Sequence, residues 1–385
     1  MSNPSLSYDL LLLVLDVLGD QYDALYQCTL VNWEFNRAAS RILYSRVVLS
    51  PAFSPTLSLK RETTPTPTVL SSACLQHNAP HVLVLRIRGY LSQRPPSFNP
   101  LPDLVLAAVR VFTNLHTVEL TPGWYNTDLF TAVLIELKNR ASLADLCVNL
   151  SCTDETRAPL LVQIGGLRRL ELKSPGRAIL QLLPDWLARL TTLEALHLTS
   201  NCGSVTPGVL RFFLPHLANV TSFSLGLSYS ITDEDLFTFL GQLPCLETLE
   251  LQYYLQLNSP RIGPRLPRLH SFTARHPSIN TAPDTARLCS WIRRIIARAP
   301  LVHLRLLCGS LDSRTHTAHV ALTGLVEHLA AVHTATLRTL DLGGALLGVS
   351  ALTLLYGACT ALEELRAGLG VRGFVCAPAP SYSCR

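Results

Sequence analysis

The sequence predicts an α/β solenoid in which short parallel strands alternate with helices, preceded by a small helical module. Three observations lead there. The spacing L-x-x-L-x-L, with some Val, Phe or Ala, recurs eleven times along the 385 residues. Segments between the copies place apolar residues at i, i+3 and i+4, the period of a helix. The first copy begins only at Val82, and a leucine-dense helical pattern opens the chain instead. At 48% hydrophobic and 15% charged residues, the chain can bury a large core and carries too little charge for extensive disorder.

The opening pattern is "LSYDLLLLVLDVLGD" (6–20), nine of whose fifteen residues are Leu or Val. It does not fit a signal peptide, because no basic residue precedes it, Asp9 and Asp16 interrupt it and no small-residue cleavage site follows. It also falls short of the ~20 consecutive apolar residues of a membrane span, as does every other stretch, so no membrane partner is expected. On a helical wheel Leu6, Leu10, Leu13, Val14, Val17 and Leu18 share one face, and Leu11, Leu12 and Leu15 continue round the side. A module of ~45 residues buries too little surface to cover such a helix by itself. The excess is expected to meet a partner or the repeats behind it.

The residues that follow sharpen this. Residues 6–49, ending in "LVNWEF" and "ASRILYSRVVL", resemble the F-box, a three-helix module that docks on the Skp adaptor of Skp–cullin–F-box ubiquitin ligases. The matching positions are Leu6, Asp9, Leu10, Val14, Leu18, Asp23 and Leu25, then Leu30, Val31, Trp33 and Phe35. The family's proline after the first leucine is Ser7 here, which can cap a helix where proline would pre-set its start. The resemblance implies that Leu6, Asp9, Leu10, Val14, Leu18, Leu25, Leu30, Val31, Trp33 and Phe35 contact the adaptor and, through it, engage a cullin. The competing reading is a helical cap that closes the first repeat. Residues 1–46 are assigned to this module, and the proline- and threonine-rich stretch 50–68 to an irregular crossing into the array.

The copies begin at Val82, Leu115, Leu143, Leu167, Leu193, Val220, Leu246, Leu269, Leu301, Leu337 and Leu362, with a mean step of 28 residues. Alternate positions within each copy fit one face of a strand. Residues 127–140, 231–243 and 285–299 read as helices, the second opening on a Thr-Asp-Glu-Asp cap. Units of this size cannot bury both faces alone and must stack. Residues 82–370 resemble the leucine-rich repeats, a horseshoe solenoid with about eleven units over 47–370 and a flexible tail at 371–385. The family's loop asparagine is matched at Asn201 and missing from most copies. Long steps imply insertions near 276–284 and 308–318, and 92–100 reads as an exposed loop.

The concave strand face is the usual binding surface of such arrays. Its outward positions include Arg86, Arg88, Glu119, Glu171, His197, Glu250, Gln252 and Arg305, which are the candidate contacts for a target protein. Their signs alternate, so no ligand of single charge is implied. Trp124, Tyr125, Tyr229, Tyr253 and Tyr254 are candidate anchors.

Net charge is +5, composed of −2 in residues 1–50 and +7 beyond, read as thinly spread and without a Lys/Arg run, so no nucleic-acid partner is expected. Eleven scattered cysteines without a CxxC pair suit reduced thiols in the cytoplasm and/or nucleus. "GLGVRG" (368–373) lacks the helix and acidic residue of a dinucleotide site. His316, His319, His328 and His333 have no metal-ligand spacing, and nothing near Cys289 or Cys308 implies a lowered thiol pKa. Catalytic, metal and cofactor sites are therefore not expected. The resemblances together imply a non-catalytic substrate receptor of a ubiquitin ligase. The other reading is a repeat scaffold or inhibitor with no link to ubiquitin.

Overall fold

A computed structural model of the chain describes residues 7–19, 21–50, 68–90, 101–123, 128–254, 260–279, 281–309 and 322–369. Leu6, Trp124, Tyr125, His316, His319, the crossing 51–67, the loop 92–100 and the tail 371–385 lie outside them. The chain forms two compact units, Met1–Leu193 and Glu194–Arg385.

The first unit begins with three helices, α1 (Tyr8–Asp16), α2 (Tyr22–Thr29) and α3 (Trp33–Leu43). Ser7 caps α1 by accepting from Leu10 N, and Asn32 caps α3 by accepting from Phe35 N at 2.9 Å. Their core is Leu11, Leu15, Leu25, Ala38 and Ala39, with Tyr8, Leu12, Leu18, Phe35 and Ile42 packed around it. The chain then enters β1 (Arg46–Leu49) directly. There follow α4 (Thr68–Ala73), β2 (Val84–Tyr90), α5 (Leu101–Val111), β3 (Thr117–Gly123), α6 (Thr131–Leu137) and β4 (Asp145–Val148). The unit continues with α7 (Leu150–Thr153), α8 (Ala158–Leu161), β5 (Arg169–Lys173) and α9 (Arg177–Arg189). Strands β1 to β5 pair in parallel, each with the next in sequence.

The second unit contains β6 (Ala195–Asn201), α10 (Pro207–Phe213), β7 (Ser222–Leu227), α11 (Asp233–Leu240), β8 (Thr248–Gln252) and β9 (Ser271–His276). It ends with α12 (Ala282–Ile296), β10 (His303–Cys308), α13 (Thr323–Val332), β11 (Thr339–Leu347), α14 (Val349–Ala358) and β12 (Glu364–Leu369). Its strands too pair in parallel and in sequence order. Each unit is thus a repeating stack of parallel strands and helices, with the leucine spacing on its strands. The strands β2 to β12 each begin two residues after the first apolar residue of a repeat copy.

The leucine spacing has a direct structural cause. In β2, Leu85 and Ile87 are fully buried under the helices while Arg86 and Arg88 point to the open face, the two-residue alternation of a strand. The same alternation buries Val118 and Leu120, then Leu146 and Val148, then Leu170 and Leu172. At the start of most strands one carbonyl accepts two amides from the next repeat. Ser45 O takes Leu83 N and Val84 N, and Thr221 O takes Glu247 N and Thr248 N. This satisfies backbone groups that helical or sheet bonding leaves over.

Several expectations are corrected. The sheet has a strand, β1, that the repeat spacing did not reveal, so residues 50–68 lie between the first and second strands rather than between module and array. "RVVL" is too short to carry the full leucine motif. The helix expected at 127–140 is confined to Thr131–Leu137, and that expected at 285–299 starts at Ala282, where Thr281 caps it and Pro283 occupies its first turn. The helix at 231–243 keeps its cap. Thr232 Oγ1 accepts from Asp235 N at 3.2 Å, and the Asp235 carboxylate accepts from Thr232 N at 3.3 Å.

Candidate functional site

Two surfaces carry the sequence-derived candidates. On α1 the helical period divides the leucines more sharply than the wheel did. Leu11 and Leu15 turn inward, whereas Leu10, Leu13, Val14 and Val17 form an exposed stripe at i, i+3, i+4 and i+7. Leu10 is 54% exposed and Val14 58%. Leu30 and Val31 in the turn joining α2 and α3, and Trp33 at the start of α3, are exposed as well, Trp33 at 72%. The Arg37 guanidinium lies 4.8 Å from the Tyr8 ring and 5.6 Å from the Trp33 ring, which ties the start of α3 to the start of α1.

Three of the expected adaptor contacts are placed otherwise. Leu25 is fully buried, so it has no surface to offer a partner. Leu18 and Phe35 pack against the same core from its margin. They shape the module, because a three-helix core of small radius needs large side chains from every helix. Asp9 is exposed in the first turn of α1, where its charge suits the helix N-terminus. Leu13 and Val17 belong to the exposed stripe although the motif match did not include them.

The second surface is the open side of the sheet. Within the first unit Arg86, Glu119, Cys147 and Glu171 are direct register partners. Within the second, His197, Ser224, Glu250, Thr273, Arg305, Asp341 and Arg366 form a corresponding row. Most of the candidates in these rows are engaged by neighbours. Glu119 takes Lys173 Nζ at 3.0 Å and Thr121 Oγ1 at 2.9 Å, and Arg86 Nε lies 3.6 Å from it. Burial works to raise the Glu119 pKa, but the hydrogen bonds from Lys173 and Thr121 outweigh it and hold the carboxyl below its ordinary value. Between Glu119 and Glu171, the Cys147 thiol is pushed up to about 12, chiefly by burial and then by Glu171. It is therefore a poor nucleophile.

In the second unit His197 meets Ser224 Oγ at 2.7 Å and Ser222 Oγ at 3.3 Å. Glu250 pairs with Arg275, and Arg305 with Asp341 at 3.2 Å. Gln252 pairs in register with Arg275, and Arg88 with Thr121. Arg305, Asp341, Arg366 and Glu364 line a shallow polar hollow of about 300 Å³. The open face is a lattice of cross-strand ion pairs; Lys173, Arg275 and Asp341 are outward strand positions by the repeat spacing too, but that spacing does not say which charge each one meets in another repeat. Tyr229 is exposed, with its ring 5.4 Å from that of Tyr254. Tyr253 is buried against Trp291 and offers no anchor.

A comparison with protein-family models finds no match, and a comparison with curated protein sequences finds none either. Solved structures do resemble the chain. LegL7, a leucine-rich repeat-containing protein from Legionella pneumophila, aligns at 13% identity over 74% of this chain and 90% of its own, with a TM-score of 0.44. A chain of the yeast Rad7–Elc1 complex aligns at 15% identity over 93% of this chain and 80% of that one, TM-score 0.41. A chain of the TLR13–ssRNA13 complex aligns at 13% identity over 75% and 50%, TM-score 0.34.

The expected chemistry-bearing residues divide similarly. Burial pushes the Cys289 thiol up to about 11, while Cys308 is exposed. His328 and His333 are brought together, ring centroids 5.6 Å apart, and His333 is almost completely buried. Among the described residues no group of three His, Cys, Asp or Glu side chains could hold a metal ion, and no helix is long and apolar enough to cross a membrane.

Proposed function

We propose that this chain is the substrate-recognition subunit of a Skp–cullin–F-box type ubiquitin ligase. The α1–α3 module would dock the Skp-type adaptor and thereby join a cullin, and the open face of the repeats would hold the target protein. The observation that carries the reading is the apolar stripe of Leu10, Leu13, Val14 and Val17, left exposed although the module has a closed core of its own. A surface of that kind is a normal feature of a protein interface and an aggregation liability otherwise. Trp33, exposed at the start of α3, is of a residue type enriched at the hot spots of such interfaces.

In such an assembly the chain does no chemistry. It raises the local concentration of the target near the charged ubiquitin, so acceleration comes from proximity. The reading places the protein where that machinery works, in the cytoplasm and/or nucleus.

Co-purification of tagged full-length chain with a Skp-type adaptor tests the reading. Wild type should retain the adaptor, and Leu10→Asp/Val14→Asp should lose it while keeping its circular dichroism spectrum. Absence of adaptor from wild type would leave a repeat scaffold or inhibitor without a ubiquitin role.

A further inference from the structure

The surplus positive charge of the chain is not thinly spread. Residues 260–298 contain eight Arg and one Asp, a net of +7 against +5 for the whole sequence, so everything else sums to −2. Two of the eight are paired, Arg275 with Glu250 and Arg287 with Asp284. Four others, Arg261, Arg293, Arg294 and Arg298, line a single cavity of about 380 Å³ on the helix side of the second unit, together with His328. No carboxylate among the described residues lies within ion-pair distance of these four.

The cavity is held in shape by backbone. Arg294 Nη1 donates to Pro260 O at 2.8 Å, and Gly263 sits so close to α12 that a Cβ on it would collide with the Arg294 carbonyl oxygen. The loop carrying Arg261 is thus fastened against the end of α12. Two polar atoms here, Arg294 Nε and His328 Nε2, are buried without a hydrogen-bond partner among the described residues. Basic residues in the last turn of a helix are favoured by its dipole, which accounts for Arg293 and Arg294. It does not account for Arg261, for the cavity, or for the two unpartnered nitrogens.

We propose that this cavity is a binding site for a phosphomonoester dianion. Guanidinium forks match the oxygens of phosphate in a bidentate manner, and four of them facing one hollow repel each other until an anion of matching charge enters. The lining contains no aromatic side chain on which a base could stack, and the arginines converge on one hollow instead of tracking a strand, which favours phosphate over nucleic acid. The group can arrive as free phosphate or on the side chain of a polypeptide. None of these residues belongs to the α1–α3 module, so this site and adaptor docking stand or fall separately.

The test uses the full-length chain at ~0.15 M ionic strength, with binding followed by calorimetry and thermal shift. The probes are inorganic phosphate, a phosphoserine peptide, the same peptide with glutamate in place of phosphoserine, and single-stranded RNA. Phosphate or the phosphoserine peptide should bind. Tighter binding of the peptide assigns the group to a polypeptide, and equal binding to the free ion. Arg261→Gln/Arg298→Gln, at two exposed positions where folding is spared, should weaken it by at least about tenfold, the effect of losing even one of the two charge-assisted hydrogen bonds. Arg293→Lys, which keeps the charge and removes the fork, should weaken it as well. Three results overturn the proposal: no response beyond that to matched chloride, equal binding of the glutamate peptide, or tighter binding of RNA that the double substitution also abolishes.

Discussion

Leu10 and Leu15 are both leucines on one nine-residue helix, and the structure gives them opposite fates. Leu15→Ala, at 2% exposure, should cost about 2–5 kcal/mol in the cavity it leaves. Leu10→Asp should leave urea stability nearly unchanged, since its side chain is in water already. Equal losses in the two denaturation curves would mean that the stripe is not exposed. His333 offers a second test. Burial, and then the neighbouring His328, lower its pKa from the ordinary 6.5 to about 4, so the fold favours the neutral ring. Its contribution to stability is complete above pH 6.5 and drains away as pH falls toward 4. The urea midpoint of wild type should therefore fall more steeply across that window than that of His333→Gln. Gly263→Ala, meeting the Arg294 backbone, should destabilise by about 1–3 kcal/mol, as overpacking does. A chain melting as wild type would show that the loop does not press on α12.

Single helices and strands were legible where their signals are local. The eleven repeat copies located eleven strands because a buried leucine pair and its spacing are one and the same feature. The acidic start of α11 was legible because a capping box is written within four residues. Thr232→Ala should cost about 1 kcal/mol, read as a shift of the urea midpoint. An unchanged midpoint would mean water replaces the cap without loss. β1 was not legible, since its four residues gain strand character only from the register with β2. The ends of α6 and α12 were displaced for a related reason. Apolar periodicity marks the buried middle of a helix, while Thr281 and the turns around it decide where the helix stops and starts.

For the molecule as a whole, the repeat stack sorts the cysteines by position in each unit. Cys152, Cys202, Cys289 and Cys359 are buried and Cys308 is exposed. Alkylation of the native protein, mapped by mass spectrometry, should modify Cys308 first among the described cysteines and the four buried thiols only on unfolding. Early modification of Cys152 or Cys202 would contradict the packing. Charge is sorted at the same scale. Pairing between repeats neutralises the open face, while the arginines gathered around α12 keep their charge.

The sequence by itself determined the architecture and the inward side of nearly every strand, because burial of leucine is a local demand repeated at a fixed interval. It also marked the first helices as more apolar than their own core requires. Which of those leucines reach solvent, which charges already have partners, and that Arg261 joins Arg293, Arg294 and Arg298 around one cavity, only the tertiary structure decided. Those properties depend on which residues of neighbouring repeats are set opposite one another, and no spacing along a single strand or helix records that.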